Sequence, residues 1–309
     1  MTTIGVIGVP TSAGAFAPGQ ERAPAALREA GLLRGLEEAG CEVRDHGDRE
    51  LWRWRPDREN RHAQNLGKVV EIVRDTAARV AEAAGAGEIT LVLGGDCTVG
   101  IGTVAGHVAR GDRIGLVYFD THADLNVPAS VRPGTLDWMG MAHMLGEEGA
   151  AAELVAAVPE RPLLRPEHVV LFAWGPEQAQ PRESEAIERL GLEVIPVDRV
   201  AADPPGAAAE ARALLEDRVD RLLVHFDVDV VDFTDTPLSE NTGRNEGLPY
   251  REAMRALEAL VESPRLAGLT ITELNPAHAE EGSDSIERLA RDIGRGLATD
   301  VRPSNTVPT

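Results

Sequence analysis

The sequence predicts an α/β fold in which a mostly parallel central sheet is covered by helices on both faces. Three observations carry this. Short β-branched or Leu-rich runs recur at residues 4–9, 89–93, 114–119, 168–172, 193–197, 222–226 and 266–273. Between most of them lie stretches with apolar residues at three- and four-residue spacing, among them 23–39, 62–84, 250–262 and 284–298. The strand-like runs are nearly continuous rather than alternating, as expected of strands buried on both sides. Strands alternating with helices point to a parallel sheet.

The elements can be taken in chain order. The first run follows the start directly, with no basic leader before it. The helical stretch 23–39 is followed by residues 47–61, read as a long surface loop. Helix 62–84 carries Lys68, the single lysine of the chain, so Schiff-base chemistry is not expected. The run 89–93 leads into Gly94-Gly95-Asp96-Cys97, and the run 114–119 into Asp120-Thr121-His122-Ala123-Asp124. A second long loop, 126–135, leaves that cluster. The run 222–226 leads into Asp227-Val228-Asp229, and the last strand ends at Thr272-Glu273-Leu274-Asn275-Pro276. In open parallel sheets ligands bind beyond the carboxyl ends of strands, and every one of these polar clusters sits there. No linker divides the chain, so residues 1–309 are expected to form one domain, with 302–309 a loose tail.

Composition narrows the functions. Apolar residues make up 43% of the 309, enough for an ample core. A formal charge of -20, from 51 acidic and 31 basic residues, argues against nucleic acid or an anionic membrane as partner. Cys41 and Cys97 cannot build a disulfide framework and suggest a reducing compartment. No apolar run approaches the length of a bilayer. A cytoplasmic location is the expectation.

The strand-end clusters carry the chemistry. On an extended segment, side chains two apart point the same way, so Asp120, His122 and Asp124 are expected to converge, as are Asp227 and Asp229. Four carboxylates and an imidazole packed together are costly unless cations sit among them. Aspartates with one imidazole suit hard or borderline ions such as manganese. Two such ions would share carboxylates and acidify a bridging water into a nucleophile for a trigonal carbon. Glu273 stands where it could hold a cationic substrate.

The segments GGDC, FDTHADLN, FDVDVVD and TELNP resemble the signature motifs of the ureohydrolase family, which comprises arginases, agmatinases, formiminoglutamases and related amidinohydrolases. The likeness covers nearly the whole chain and includes Gly19 to Leu32. It implies a three-layer α/β/α fold, a centre of two manganese ions, a homo-oligomer (commonly a trimer or hexamer) and hydrolysis of a small guanidino-type substrate. By the same resemblance Asp120 and Asp227 bridge the ions. Asp124 and the residue at Cys97 hold the first, and His122 and Asp229 complete the second. Asp124 also hydrogen-bonds the nucleophile, Glu273 pairs with the guanidinium, and Asn126 helps hold the substrate's far end.

Three departures from the family pattern matter. Cys97 stands where the family has histidine; it is either a ligand, favouring a softer ion such as zinc, or a small buried apolar residue. A thiolate there leaves one negative charge uncompensated and makes the shared water less acidic. Asp137 replaces another histidine and is a proton relay, a binder of a cationic group, or a helix N-cap. The loop 176–183 carries Gln180 where an aspartate is expected, Pro133 replaces a serine, and Glu183 is the one acidic match. His143 reads as structural; His225 reads as a buried hydrogen-bonded or outer-sphere residue. Asn241 and Arg244 are expected at the rim.

The expectation is therefore a metal-dependent amidinohydrolase acting on a guanidino compound other than plain arginine, releasing urea or a substituted urea. Two alternatives are a catalytically impaired relative that binds a ligand or partner, and a formimino-group hydrolase.

Overall fold

The computed structural model describes residues 2–243 and 246–298. Eight strands form one sheet: β1 (Thr3–Gly8), β2 (Glu42–Asp48), β3 (Ile89–Leu93), β4 (Ile114–Phe119), β5 (Val169–Trp174), β6 (Glu193–Pro196), β7 (Arg221–Asp227) and β8 (Leu266–Thr272). They lie in the order β2-β1-β3-β8-β7-β4-β5-β6, and every pairing is parallel. This is the three-layer α/β/α architecture expected.

Alternation within the strands makes the layers. Leu91, Leu93, Val117, Phe119, Val224 and Phe226 point into one core. There they meet α1 (Ala23–Glu29), α2 (Leu32–Glu38) and three later helices, at Pro204–Glu216, Tyr250–Val261 and Ser285–Ala298. Val92, Leu116, Tyr118, Leu171 and Leu223 point into the other, against α3 (Leu66–Gly85) and α4 (Val99–Val108). Both faces are apolar because both are covered.

Three expectations are corrected. β2 was not anticipated: its side chains are mostly half-buried or exposed, and as an edge strand it has polar residues where a central strand has an apolar run. The stretch 23–39 is two helices, broken at Gly31, whose left-handed backbone (φ 86) a side chain would resist. The 47–61 loop starts inside β2 and is tied down, with Trp52 bridging to Thr11. Arg244 and the 302–309 tail lie outside the described residues. Among the described residues no helix is long and apolar enough to cross a membrane.

Candidate metal centre

The central four strands, β3-β8-β7-β4, end side by side. Cys97, Glu273, Asp227 and the Asp120–Asp124 segment therefore meet at one mouth although they are far apart in the chain. Gly95 lets the 11–19 loop lie against this mouth, since a Cβ there would be 1.7 Å from the Thr11 carbonyl oxygen. Asp96 then anchors the 11–19 loop by accepting from Gly14 N (3.0 Å).

The residues converge, but not by the pleat. β4 stops at Phe119 and β7 at Asp227, so alternation of side chains along a continuing strand is not what gathers them. Instead each terminal aspartate folds the chain back. Asp120 Oδ1 accepts from His122 N at 2.6 Å, and Asp227 Oδ1 accepts from Asp229 N at 2.7 Å. These are Asx-type turns, in which a carboxylate takes the backbone N–H two residues on. Asp124 and Glu273 adopt left-handed backbones (φ 49 and 62) that non-glycine residues seldom accept.

The donor atoms fall into tight groups, each with all members within 4.8 Å: Asp120, His122 and Asp229; Cys97, Asp120 and Asp124; Cys97, His225 and Asp227; and Cys97, Asp137 and Glu273. All the sequence-named ligands are thus brought together. His122 Nδ1 lies 3.2 Å from Asp120 Oδ1 and 3.2 Å from Asp229 Oδ2. Cys97 Sγ donates to Asp227 Oδ2 (2.8 Å) and lies 3.3 Å from His225 Nε2. Tyr118 O–H donates to Asp124 Oδ2.

Asp137 is not a helix cap. Its Oδ1 accepts the Cys97 N–H at 2.6 Å, and Glu273 Oε1 takes the same N–H at 3.1 Å. Gln20 Nε2 donates to Glu273 Oε2 at 3.1 Å. Glu183 lines the cavity with one oxygen on Gln180 N (2.9 Å) and the other on Leu125 N (3.4 Å). Asn126 is buried, lines the cavity and accepts from Ser130 Oγ. His143 is structural as read: Nδ1 meets Met139 O (2.6 Å) and Nε2 accepts from Ala151 N (3.0 Å).

The cavity, about 380 Å³, is lined by these groups and by Phe16, Trp138, Gln178, Glu240 and Asn241. Gln20, Tyr118, Phe16, Trp138, Gln178 and Glu240 were not singled out from sequence. Gln20 lies inside the 19–32 motif, and two aromatics in polar loops of a chain with 4% aromatic residues were a usable signal.

The electrostatics favour protons or a cation among these groups. Six carboxyl groups (Asp120, Asp124, Asp137, Asp227, Asp229 and Glu273) are buried around two imidazoles, His122 and His225, and no described Lys or Arg lines the cavity. Burial, then Asp229, pushes Asp120 up to about 6. Burial and neighbouring carboxylates hold Asp124, Asp227 and Glu273 well above the usual range. Burial opposes ionisation of both His122 and Asp229, yet their mutual attraction prevails, raising the imidazole and lowering the carboxyl. Asp120 Oδ2 is buried with no hydrogen-bond partner. An unpaired buried carboxylate oxygen amid oxygen and nitrogen donors fits a divalent ion.

Residues 2–297 match the model of the Arginase family. The chain belongs to the arginase family. It is 31% identical to human arginase-1 over 278 residues, covering 89% of this chain and 85% of that protein. It is also 31% identical to the arginase of Bacillus caldovelox, covering 89% and 92%. The crystal structure of that bacterial arginase superposes with a TM-score of 0.86 at 28% identity, covering 97% and 99% of the two chains. The formimidoylglutamase of Bacillus subtilis shares the fold at 18% identity (TM-score 0.76; 98% and 89% covered). This protein is an arginase-family hydrolase.

Proposed function

We propose that the chain is a two-metal amidinohydrolase that cleaves a guanidino-type C–N bond and releases urea or a substituted urea. The observation that carries this reading is the buried acid cluster around His122 and His225 with an unpaired Asp120 oxygen. Asp120, His122, Asp124, Asp227, Asp229 and Cys97 would hold the ions. Two divalent ions held there would supply the Lewis acidity that makes a water nucleophilic at neutral pH.

The chain's own groups do the rest. Glu273, held by Gln20 and by the Cys97 N–H, turns its carboxylate to the cavity and pairs with the guanidinium. Asp124, oriented by Tyr118, accepts a hydrogen bond from the attacking water. Asp137, whose carboxylate sits on the Cys97 N–H at the cavity wall, relays a proton to the departing nitrogen.

The substrate is a guanidino compound other than free arginine. No described cationic side chain lines the cavity to meet a carboxylate, and Gln180 is engaged as a helix cap with Glu183. Of the three exposed large apolar side chains among the described residues, Phe16 (60% exposed) and Trp138 (41%) line this one cavity. They offer ring faces to an apolar arm.

The experiment is elemental analysis joined to a substrate panel of arginine, agmatine, guanidinobutyrate, hydroxyarginine and arylalkyl guanidines, with urea as readout. About two ions per chain and urea release support the reading. Fewer than one ion per chain and no turnover would leave a ligand-binding relative instead.

A further inference from the structure

His225 is badly served as a structural residue. It is buried on β7, and its Nδ1 has no hydrogen-bond partner. Its Nε2 is shared between Thr272 Oγ1 (3.1 Å) and Cys97 Sγ (3.3 Å). His143 shows what a structural histidine looks like here, with each nitrogen in its own backbone bond. Nε2 is the nitrogen that faces the donor cluster, held only by two side chains, one of them the Cys97 sulfur.

The surroundings hold the ring in one place. Tyr118 stacks on it, centroids 4.5 Å apart at 13°, and the same tyrosine's hydroxyl reaches Asp124. Gly100, three residues past Cys97, makes room: a Cβ there would lie 2.7 Å from His225 Nδ1. Side chains two apart on a strand share a face, so β7 sends His225 and Asp227 to the same side, both onto Cys97. Cys97 belongs to three of the four donor groups, and His225 completes one of them with Asp227.

We propose that His225 joins Cys97, Asp124 and Asp227 as a ligand of one ion, at a position of sulfur, nitrogen and oxygen donors that takes a thiophilic dication such as zinc. The position built from Asp120, His122 and Asp229 takes a harder ion such as manganese. This rests on the two-metal reading above, and it makes the centre heterobimetallic. Zinc sits about 2.3 Å from a thiolate and about 2.0–2.1 Å from an imidazole nitrogen, and atoms 3.3 Å apart can satisfy both. Thiolate and imidazole favour zinc, and carboxylates favour manganese. The thiol that now donates to Asp227 loses its proton to solvent when the ion binds.

The test starts from chelated full-length protein dialysed against equal zinc and manganese, with metals counted by elemental analysis. Wild type is expected to hold one zinc and one manganese per chain. Both His225→Ala and Cys97→Ser should lose the zinc, with at least a hundredfold weaker affinity, and keep the manganese. Cobalt in place of zinc should give a thiolate-to-cobalt charge-transfer band in wild type that Cys97→Ser abolishes. Should His225→Ala fold poorly, wild-type crystals measured at the zinc edge serve in its place. Zinc bonded to both Sγ and His225 Nε2 supports the proposal. Two manganese ions per chain, or zinc with His225 still on Thr272, would overturn it while leaving the amidinohydrolase reading intact. Binding of neither metal would overturn both.

Discussion

Two regions of this molecule crowd acidic side chains, and they resolve the crowding in opposite ways. At the β2 edge the protein supplies its own cations. Arg28 pairs with Asp45 (2.7 Å) and Asp48 (2.9 Å), and buried Glu88 meets Arg44 (3.2 Å) and His46 (2.6 Å). At the mouth formed by β3, β8, β7 and β4, six buried carboxyls gather around His122 and His225 with no described Lys or Arg lining the cavity, and one oxygen of Asp120 has no hydrogen-bond partner. An edge strand gains from charges that are satisfied and solvated, because they discourage pairing with another chain. A buried cluster left short of cations is stable only with protons or metal ions among its members. The first arrangement is satisfied within the protein; the second is not.

The contrast can be broken most directly at Asp124 and Asp120. Asp124→Asn should lower kcat/KM by about 10²–10⁴-fold, the usual worth of an acid–base group, with the fold intact by circular dichroism. Asp120→Asn should weaken metal binding by more than the roughly 10–100-fold typical of outer-shell changes, measured by titration with the metal. Unchanged metal affinity in that variant would mean the cluster is held by protons alone.

Trp138→Ala sharpens the reading of the cavity mouth. The expected result is a KM raised about 3–10-fold for guanidines with an apolar arm, from the loss of one ring contact, and no change for methylguanidine. An equal effect on both substrates would remove the ring from substrate recognition.

At the β2 edge the expectation reverses. Glu88→Ala should cost no more than about 1 kcal/mol in chemical denaturation, because Arg44 and His46 are partly solvated and can relax into water. Metal content and kcat should stay at wild-type values. A loss of metal from that variant would join the two regions and undo the comparison.

The smallest effect concerns His107, a buried histidine that bonds Thr90 Oγ1 (2.9 Å). Burial, then Arg110 and Arg221, lowers it to about 4 from the ordinary 6.5. The unfolded chain therefore binds a proton between pH 6.5 and 4 that the folded protein refuses. Stability from this group is complete above about pH 6.5 and falls as pH drops toward about 4, by at most about 1.4 kcal/mol per pH unit. His107→Gln should flatten that part of the profile in thermal melts at fixed metal; an unchanged slope would place the proton elsewhere.

Much of this was legible from the chain because local pattern reports burial. The runs at 89–93 and 114–119 became β3 and β4 with the same bounds, since a strand covered on both faces must be apolar throughout. β2 escaped notice for the converse reason: Arg44, Asp45 and His46 face water and ion partners at an edge, where no apolar run is needed. The polar residues that close each strand were visible as a set, although the route by which they meet was not. Extended alternation was the expectation, and turns closed by Asp120 and Asp227 are what occurs.

By itself the sequence determined the alternation of strands and helices, the two-sided burial of the sheet, and the residue types offered at the strand ends. These follow from periodicity within a few residues of each position. Only the tertiary structure decided the lateral order β3-β8-β7-β4, which puts four distant segments at one mouth. It also decided that His225 reaches Cys97 while Asp137 and Glu273 share one backbone N–H. Such encounters depend on which strand lies beside which, and that is settled by the packing of whole helices and sheet faces rather than by any local run of residues.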